Sequence, residues 1–408
     1  MMFIIDGIKN YFKKFGANSK HNFKKIVLAA PFWVLLAAIV MLATGSIRAA
    51  ILVSDRYDSR MEEVWGQSGG DDYRHVRVYA SGSRPAGSSE PARYIDGETS
   101  LKRTDIADVR KALQSAADTL NESSAKRGLN SDGTPNNWED CWSTFMKSEA
   151  ATVPESGSNA APYVTACDVV GVGGNFAAFH PFMYMSGGFL PEICTDPNQV
   201  VINDVLAWRF FSSYDVVGFK ISLWGNQYTV AGVVSEPGSS IDNDAGTDEP
   251  RVYMYFSTIE NYFANDQLED VAIQCYEAFL PEAVKGVAVN DMIAALPNYS
   301  SDDPKMLVVD VTGRFFFTKV WDFMVPLGEN ELPEGVEIPY WEKAARITTE
   351  HLFVDMILII LGTLLLIIGI IMLVLKIRKF TAEQVREEEI DPDEAEGEIP
   401  GLPASSET

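Results

Sequence analysis

The sequence predicts an α+β domain inserted between two membrane-spanning helices. Two observations carry that expectation. Two long stretches are apolar and uncharged, and between them lies a region that alternates strand-like and helix-like patterning in no repeating order. The bulk composition agrees. At 408 residues with 47% hydrophobic content, the chain can fill a sizeable core. Its net charge of -24 excludes a nucleic-acid partner, whose phosphates call for Lys and Arg patches.

Residues 1–25 are expected to be a basic amphipathic helix on the cytoplasmic leaflet. Ile4, Ile5, Ile8, Phe12 and Phe15 recur at helical spacing, with Asp6, Lys9, Lys13 and Lys14 on the other side. Residues 26–47 form the first span: Ile26 to Ile47 is free of charge and Arg48 closes it. The second span is residues 356–375, apolar apart from Thr363 and followed by Lys376, Arg378 and Lys379. About 20 apolar residues at ~1.5 Å rise cross the ~30 Å hydrocarbon layer. A cleaved signal peptide fits the first stretch poorly, because its apolar part is too long and its leader too extended. Basic residues precede the first span (Lys24, Lys25) and follow the second, so both termini should be cytoplasmic at the plasma membrane. Residues 48–355 then lie outside, and residues 376–408 make an acidic tail expected to be disordered.

Within the outer region, RHVRVYAS (74–81) reads as a strand, and Thr104 with Asp105 can cap a helix carrying Ile106, Val109, Leu113 and Leu120 on one face. Residues 121–137 read as a polar loop. Strands are expected over 144–153 and 162–173, and a short helix over 205–213. DVVGFKISLWGNQYTVAGVV (215–234) is a hairpin, with Gly225-Asn226 expected at its tip. SSIDNDAGTDEP (239–250) reads as an acidic surface loop. A β-α-β unit should occupy 271–311, and the helix over 339–352 should feed the second span.

Patterns for catalysis or metal binding are weak. The four histidines, His21, His75, His180 and His351, show no metal-ligand spacing. Ser123-Ser-Ala-Lys126 matches S-x-x-K without companion motifs. GVGGNF (171–176) lacks the third glycine of a phosphate loop, so its glycines are read as backbone freedom at a strand end. Asp242, Asp244 and Asp248 could attract calcium, but Gly246 is one place early and Tyr253 stands where the bidentate Glu belongs. No enzyme activity, metal or cofactor is expected. The four cysteines, Cys141, Cys167, Cys194 and Cys275, all fall in the outer region. They are disulfide candidates with three possible pairings, or else buried free thiols. In the membrane, Gly362 and Gly369 share one helix face and are candidates for close helix packing. Arg48 and Asp355 fall at the outer boundary and are a candidate charge pair.

NQVVINDVLAWRFFSSYDVVGFKISLWGNQYTVAGVVSEP (198–237) resembles the MacB-like periplasmic core domain of FtsX-type ABC transporter permeases. The matching elements are Val200–Ile202, Val205–Phe211, Asp215 with Gly218, and Thr229–Val234, preceded by Asn175, Phe176, Gly188 and Phe189. The resemblance implies an extracytoplasmic MacB-like α+β domain that responds to ATP-driven helix movement. It departs from the family in the segment after the second span, where KIRKFTAEQVREEEID stands in place of an E-R-x-x-E-I-G type sequence. The expected function is therefore an accessory two-span permease-like subunit, partnered by a full permease and a separate cytosolic ATPase, with Gly362 and Gly369 as its docking face. The alternatives are a membrane-tethered ligand-binding sensor and a surface interaction protein.

Overall fold

The computed structural model describes residues 30–66, 73–85, 88–96, 100–123, 138–154, 161–264, 270–282, 285–299, 306–325 and 332–390. The expected amphipathic leader, Lys24 and Lys25, Ser124–Lys126 of the S-x-x-K match and the end of the acidic tail lie outside these residues. The described chain divides into two units, one of Met1–Ala50 with Val354–Thr408 and one of Ile51–Phe353.

The first unit contains the membrane-type helices. Helix α1 (Ala30–Ser54) and the central part of a 51-residue helix, Tyr340–Ile390, are both long and apolar enough to cross a membrane. Their outward residues, such as Trp33, Ile39, Ile47, Leu364 and Ile371, are exposed, as lipid-facing residues must be. The tail expected to be disordered after Lys379 is instead helical to Ile390, because its Ala, Glu, Gln and Arg residues favour continuation of the helix.

In the second unit, α1 is followed by a 3-10 turn at Tyr57–Arg60, α2 (Met61–Gly66), β1 (Tyr73–Tyr79), α3 (Arg103–Ser123), β2 (Glu139–Thr152) and β3 (Val164–Gly174). Next come α4 (Phe176–Phe179), β4 (Met183–Gly187), β5 (Gln199–Asn203), α5 (Asp204–Phe211), β6 (Lys220–Leu223) and β7 (Asn226–Ser235). The unit is completed by α6 (Ser240–Ala245), β8 (Arg251–Tyr255), α7 (Phe256–Ala264), β9 (Cys275–Pro281), α8 (Val287–Ala295), β10 (Leu307–Asp310), α9 (Phe317–Met324) and the first turns of α10 (Tyr340–Ile390).

The strands form one sheet in the order β10-β1-β9-β2-β3-β8-β5-β7-β4, and β6 pairs with both β2 and β7. That double pairing closes β2, β3, β8, β5, β7 and β6 into a ring. One face carries Val76, Val78, Met146, Val169, Ile202 and Val252 toward α3, α7 and α8. The other carries Tyr79, Cys141, Val170, Tyr253, Cys275 and Phe279 toward α4 and the start of α10. Alternation along β1 thus puts His75, Arg77 and Tyr79 together on the second face.

The hairpin forms as expected, pairing Ile221 with Tyr228 and Leu223 with Asn226. Its tip is Trp224-Gly225, one residue earlier than the Gly-Asn pair suggested. Both tip residues have positive φ, 51° and 81°, as the tight turn between twisted strands requires. Trp224 accepts the strained backbone because its ring stacks on Tyr262 at 5.0 Å and its Nε1 donates to Ser148 Oγ at 2.9 Å. The stretch 239–250 is not a loop. Ser239 and Asp242 make a reciprocal capping box that starts α6, and Asp242 is buried.

Gly225→Val should cost about 1–3 kcal/mol from backbone strain alone, since an added Cβ would meet no atom within 4 Å. Chemical denaturation of the full-length protein in detergent reads this. An unchanged midpoint would mean the turn adopts a different backbone.

Candidate functional site

Buried ion pairs at the roots of the two membrane helices are the main concentration of polar chemistry among the described residues. At the first root, Arg56 stands two residues beyond the end of α1, and its Nη2 lies 2.5 Å from Asp242 Oδ1. Both side chains are 3% exposed. Asp242 also accepts from the Ser239 hydroxyl and backbone N–H at 2.6 and 3.0 Å, so one carboxylate caps α6 and neutralises Arg56. An aspartate with those commitments is no calcium ligand.

At the second root, the Arg314 guanidinium donates to both oxygens of Glu342 at 2.8 and 3.1 Å. Tyr79 Oη donates to the same carboxylate at 3.1 Å, and Arg346 Nε donates at 3.3 Å. Burial alone would raise the Glu342 carboxyl; the charge and hydrogen bonds of Arg314, together with the charges of Arg77 and Arg346, hold the group below the ordinary carboxylate value. Two residues earlier, Tyr340 lies under the Arg251 guanidinium at 4.2 Å, and its hydroxyl meets Tyr253 Oη at 3.1 Å. Arg251 and Tyr253 both bond Glu236. Helix α6 sits between the two roots. Ile241 and Ala245 pack with Ala344 and Ile347 of α10 and with Leu52 of α1.

Behind these clamps, Glu277 on β9 collects four donors, the weakest being the Cys275 thiol at 3.5 Å. Arg77 Nε lies 2.6 Å away, His75 Nε2 2.8 Å and His180 Nε2 2.9 Å. Burial would raise this carboxyl too; Arg77 and the two imidazoles hold it well below the usual range. His75 is wedged between Phe179 and Phe279, with ring centroids at 5.4 and 4.9 Å. That burial, with Arg77 beside it, pushes the imidazole down to about 4. Ligand-type atoms of Cys141, His180 and Glu277 also lie within 4.8 Å of one another. Both Glu277 oxygens are already committed, and a buried guanidinium touches the same carboxylate. This chemistry is that of a hydrogen-bonded anion rather than a cation site.

The residues singled out from sequence fall in several places. Gly362 faces Leu42 and Ala38 of α1, and Gly369 faces Leu35. Those glycines are covered by the chain's own first helix, which corrects the expectation of a docking face for another subunit. Gly45, which drew no attention in sequence, admits Ile359 and the Asp355 carbonyl in the same seam. Arg48 Nε lies 3.4 Å from Asp355 Oδ1, with Asp355 fully buried and Arg48 half exposed. All four cysteines are free thiols, and Cys194 alone is exposed. Cys141 stands opposite Glu277 and Cys275 opposite Ser143, so these two are diagonal neighbours on β2 and β9. Diagonal side chains are about 7–8 Å apart, beyond disulfide reach. Cys167 lies in the core on the opposite sheet face. Of the GVGGNF glycines, Gly173 lies against the Trp142 ring and Gly174 has φ of 67°. They serve the strand end and its packing.

The described chain carries a mixed helix-and-sheet domain with a helix of membrane length and composition at each end. A family profile described as the MacB-like periplasmic core domain matches residues 34–290, and the chain belongs to that family. Among solved structures, it is similar to the periplasmic region of MacB from Actinobacillus actinomycetemcomitans at 16% identity and a TM-score of 0.38, covering 63% of this chain and 93% of that one. It is also similar to the extracellular domain of the noncanonic ABC-type transporter YknZ from Gram-positive bacteria, at 11% identity and a TM-score of 0.35, covering 58% and 99%. The comparison with curated proteins gives no match.

Between pH 6.5 and about 4, the unfolded chain binds a proton at residue 75 that the folded one refuses, so stability should fall with acidification by up to about 3 kcal/mol. Glu277 and Glu342, whose folded values are lowered, lose their contributions below the ordinary carboxylate value and add to the same trend. His75→Gln should flatten the slope between pH 6.5 and 4.5 in denaturation series. An unaltered slope would remove His75 as its source. In the membrane unit, Gly369→Leu places a Cβ 2.7 Å from Leu35 Cδ2 and should cost ~1–3 kcal/mol by overpacking. Thermal melts in detergent should show the loss for Gly369→Leu and none for Gly238→Ala, where an added Cβ meets no atom within 4 Å.

Proposed function

We propose that this chain is an accessory two-span, permease-like subunit of a MacB/FtsX-type ABC transporter, with both termini cytoplasmic. Its outer domain transmits motion generated by an ATPase on a partner subunit. The carrying observation is that the chain just beyond α1 and the first turn of α10 are each fixed within the outer domain by a buried ion pair, Arg56–Asp242 and Arg314–Glu342. A buried pair tolerates little slippage, because separating it leaves an uncompensated charge at a cost of about 3–5 kcal/mol. Movement of a span would therefore be passed to the sheet rather than absorbed at the junction. The chain performs no chemistry of its own in this reading; a full permease subunit and a cytosolic ATPase supply it. The basic residues Lys376, Arg378 and Lys379 support a cytoplasmic C-terminus.

A second reading, a membrane-tethered sensor, draws support from a groove of ≈ 700 Å³ beside the start of α10, lined by Arg84, Lys147, Arg251, Glu337 and Trp341.

Affinity purification from native membranes in mild detergent separates the two. Recovery of a permease and an ATPase supports the transporter subunit; recovery of neither under several extraction conditions overturns it. Arg56→Met should leave that assembly intact and abolish coupling of ATP hydrolysis to movement of the outer domain, read by a fluorescent label on that domain.

A further inference from the structure

Helix α9 presents an apolar face that is left partly exposed among the described residues. Val320 is buried and Phe323 is partly buried beside Arg346. Phe317 and Trp321, one turn apart, continue the same apolar arc into solvent at 56% and 43% exposure. Phe316, just before the helix, is 72% exposed. Thr318, Lys319 and Asp322 occupy the remaining arc, with Lys319 tied to Asp310 at 3.4 Å. The apolar arc is therefore wider than the core needs, and its surplus is aromatic.

The place of this surplus points to what covers it. The Trp321 ring packs against Phe353 at 6.2 Å. Phe353 lies in α10 three residues before Met356, where the uncharged stretch of the second span begins. Three residues of helix amount to ~4.5 Å along its axis, so the residue that Trp321 packs against lies within one turn of the start of the uncharged stretch. Trp and Phe partition to the membrane surface, with the polar side of their helix turned to water.

We propose that α9 is an interfacial anchor, with Phe316, Phe317 and Trp321 seated among the headgroups and upper acyl chains of the outer leaflet. It fixes the outer domain against the bilayer at a second point beside the second span. The anchor rests on α10 being a membrane span and not on the transporter role, so it stands or falls separately from that reading.

Depth measurement tests it. The full-length chain, with Cys194→Ser removing the exposed thiol, receives a nitroxide at Phe317→Cys and is placed in nanodiscs of phosphatidylcholine and phosphatidylglycerol. A second preparation carries the nitroxide at Phe316→Cys, and a control carries it at exposed Asp118→Cys on α3. Collision with oxygen relative to a water-soluble nickel chelate should be several-fold higher at 317 and 316 than at 118. Equal ratios would place α9 in water and overturn the proposal. Shielding from both reagents would mean that protein covers the face, and would overturn it equally.

Discussion

The carboxylate of Glu342 enters the outer domain on the first turn of a helix that continues as an apolar span, and there it must stay matched to Arg314 and Tyr79. Taking ions out of water costs several kcal/mol each, and only close, complete pairing offsets it. The two hydrogen bonds from Arg314 to separate oxygens of Glu342 meet that demand. They also leave one acceptable register between helix and sheet. A hydrophobic contact in the same place would tolerate sliding by a fraction of a turn. The Arg56–Asp242 pair imposes the same condition at the other root, and the small helix α6 touches both.

The sheet supplies the rigid side of this arrangement. Because β6 bonds to β2 and to β7, the ring of strands closes, and its members are held from both edges. The polar face of β1 and β9 then needs a cover, and α4 with the start of α10 provides it. Phe176 and Phe189, which sequence reading assigned to the family's approach motif, stack at 5.8 Å, and Phe176 lies 5.8 Å from Trp341. The motif residues thus line the interior beneath the helix root. Phe176 also packs on His180, one of the donors to Glu277, so the aromatic layer adjoins that buried pair.

Much of this was legible in the chain, and the failures have definite causes. The hairpin showed itself because its signal is local, although the turn slipped by one residue because Trp is an unusual occupant of a left-handed position. The segment 239–250 was misread because Asp and Ser serve a surface loop and a helix cap equally well, and only burial of Asp242 beside Arg56 separates the two. The face of Gly362 and Gly369 was visible from their spacing, but its occupant was not, since any helix of suitable size fits a small-residue seam. His75, His180, Arg77 and Glu277 were passed over singly. No spacing rule joins a strand residue to a carboxylate some 200 positions away.

The sequence by itself determined two membrane-length apolar helices, an α+β domain between them and the family to which that domain belongs. These rest on periodicity, composition and short contiguous motifs, which are properties of neighbouring residues. Tertiary structure decided which charges are buried and with whom, that the cysteines stand apart, and that the first helix fills the glycine seam of the second. Those outcomes depend on strand order and on which face each strand turns inward. Both are set by long-range pairing that local sequence does not encode.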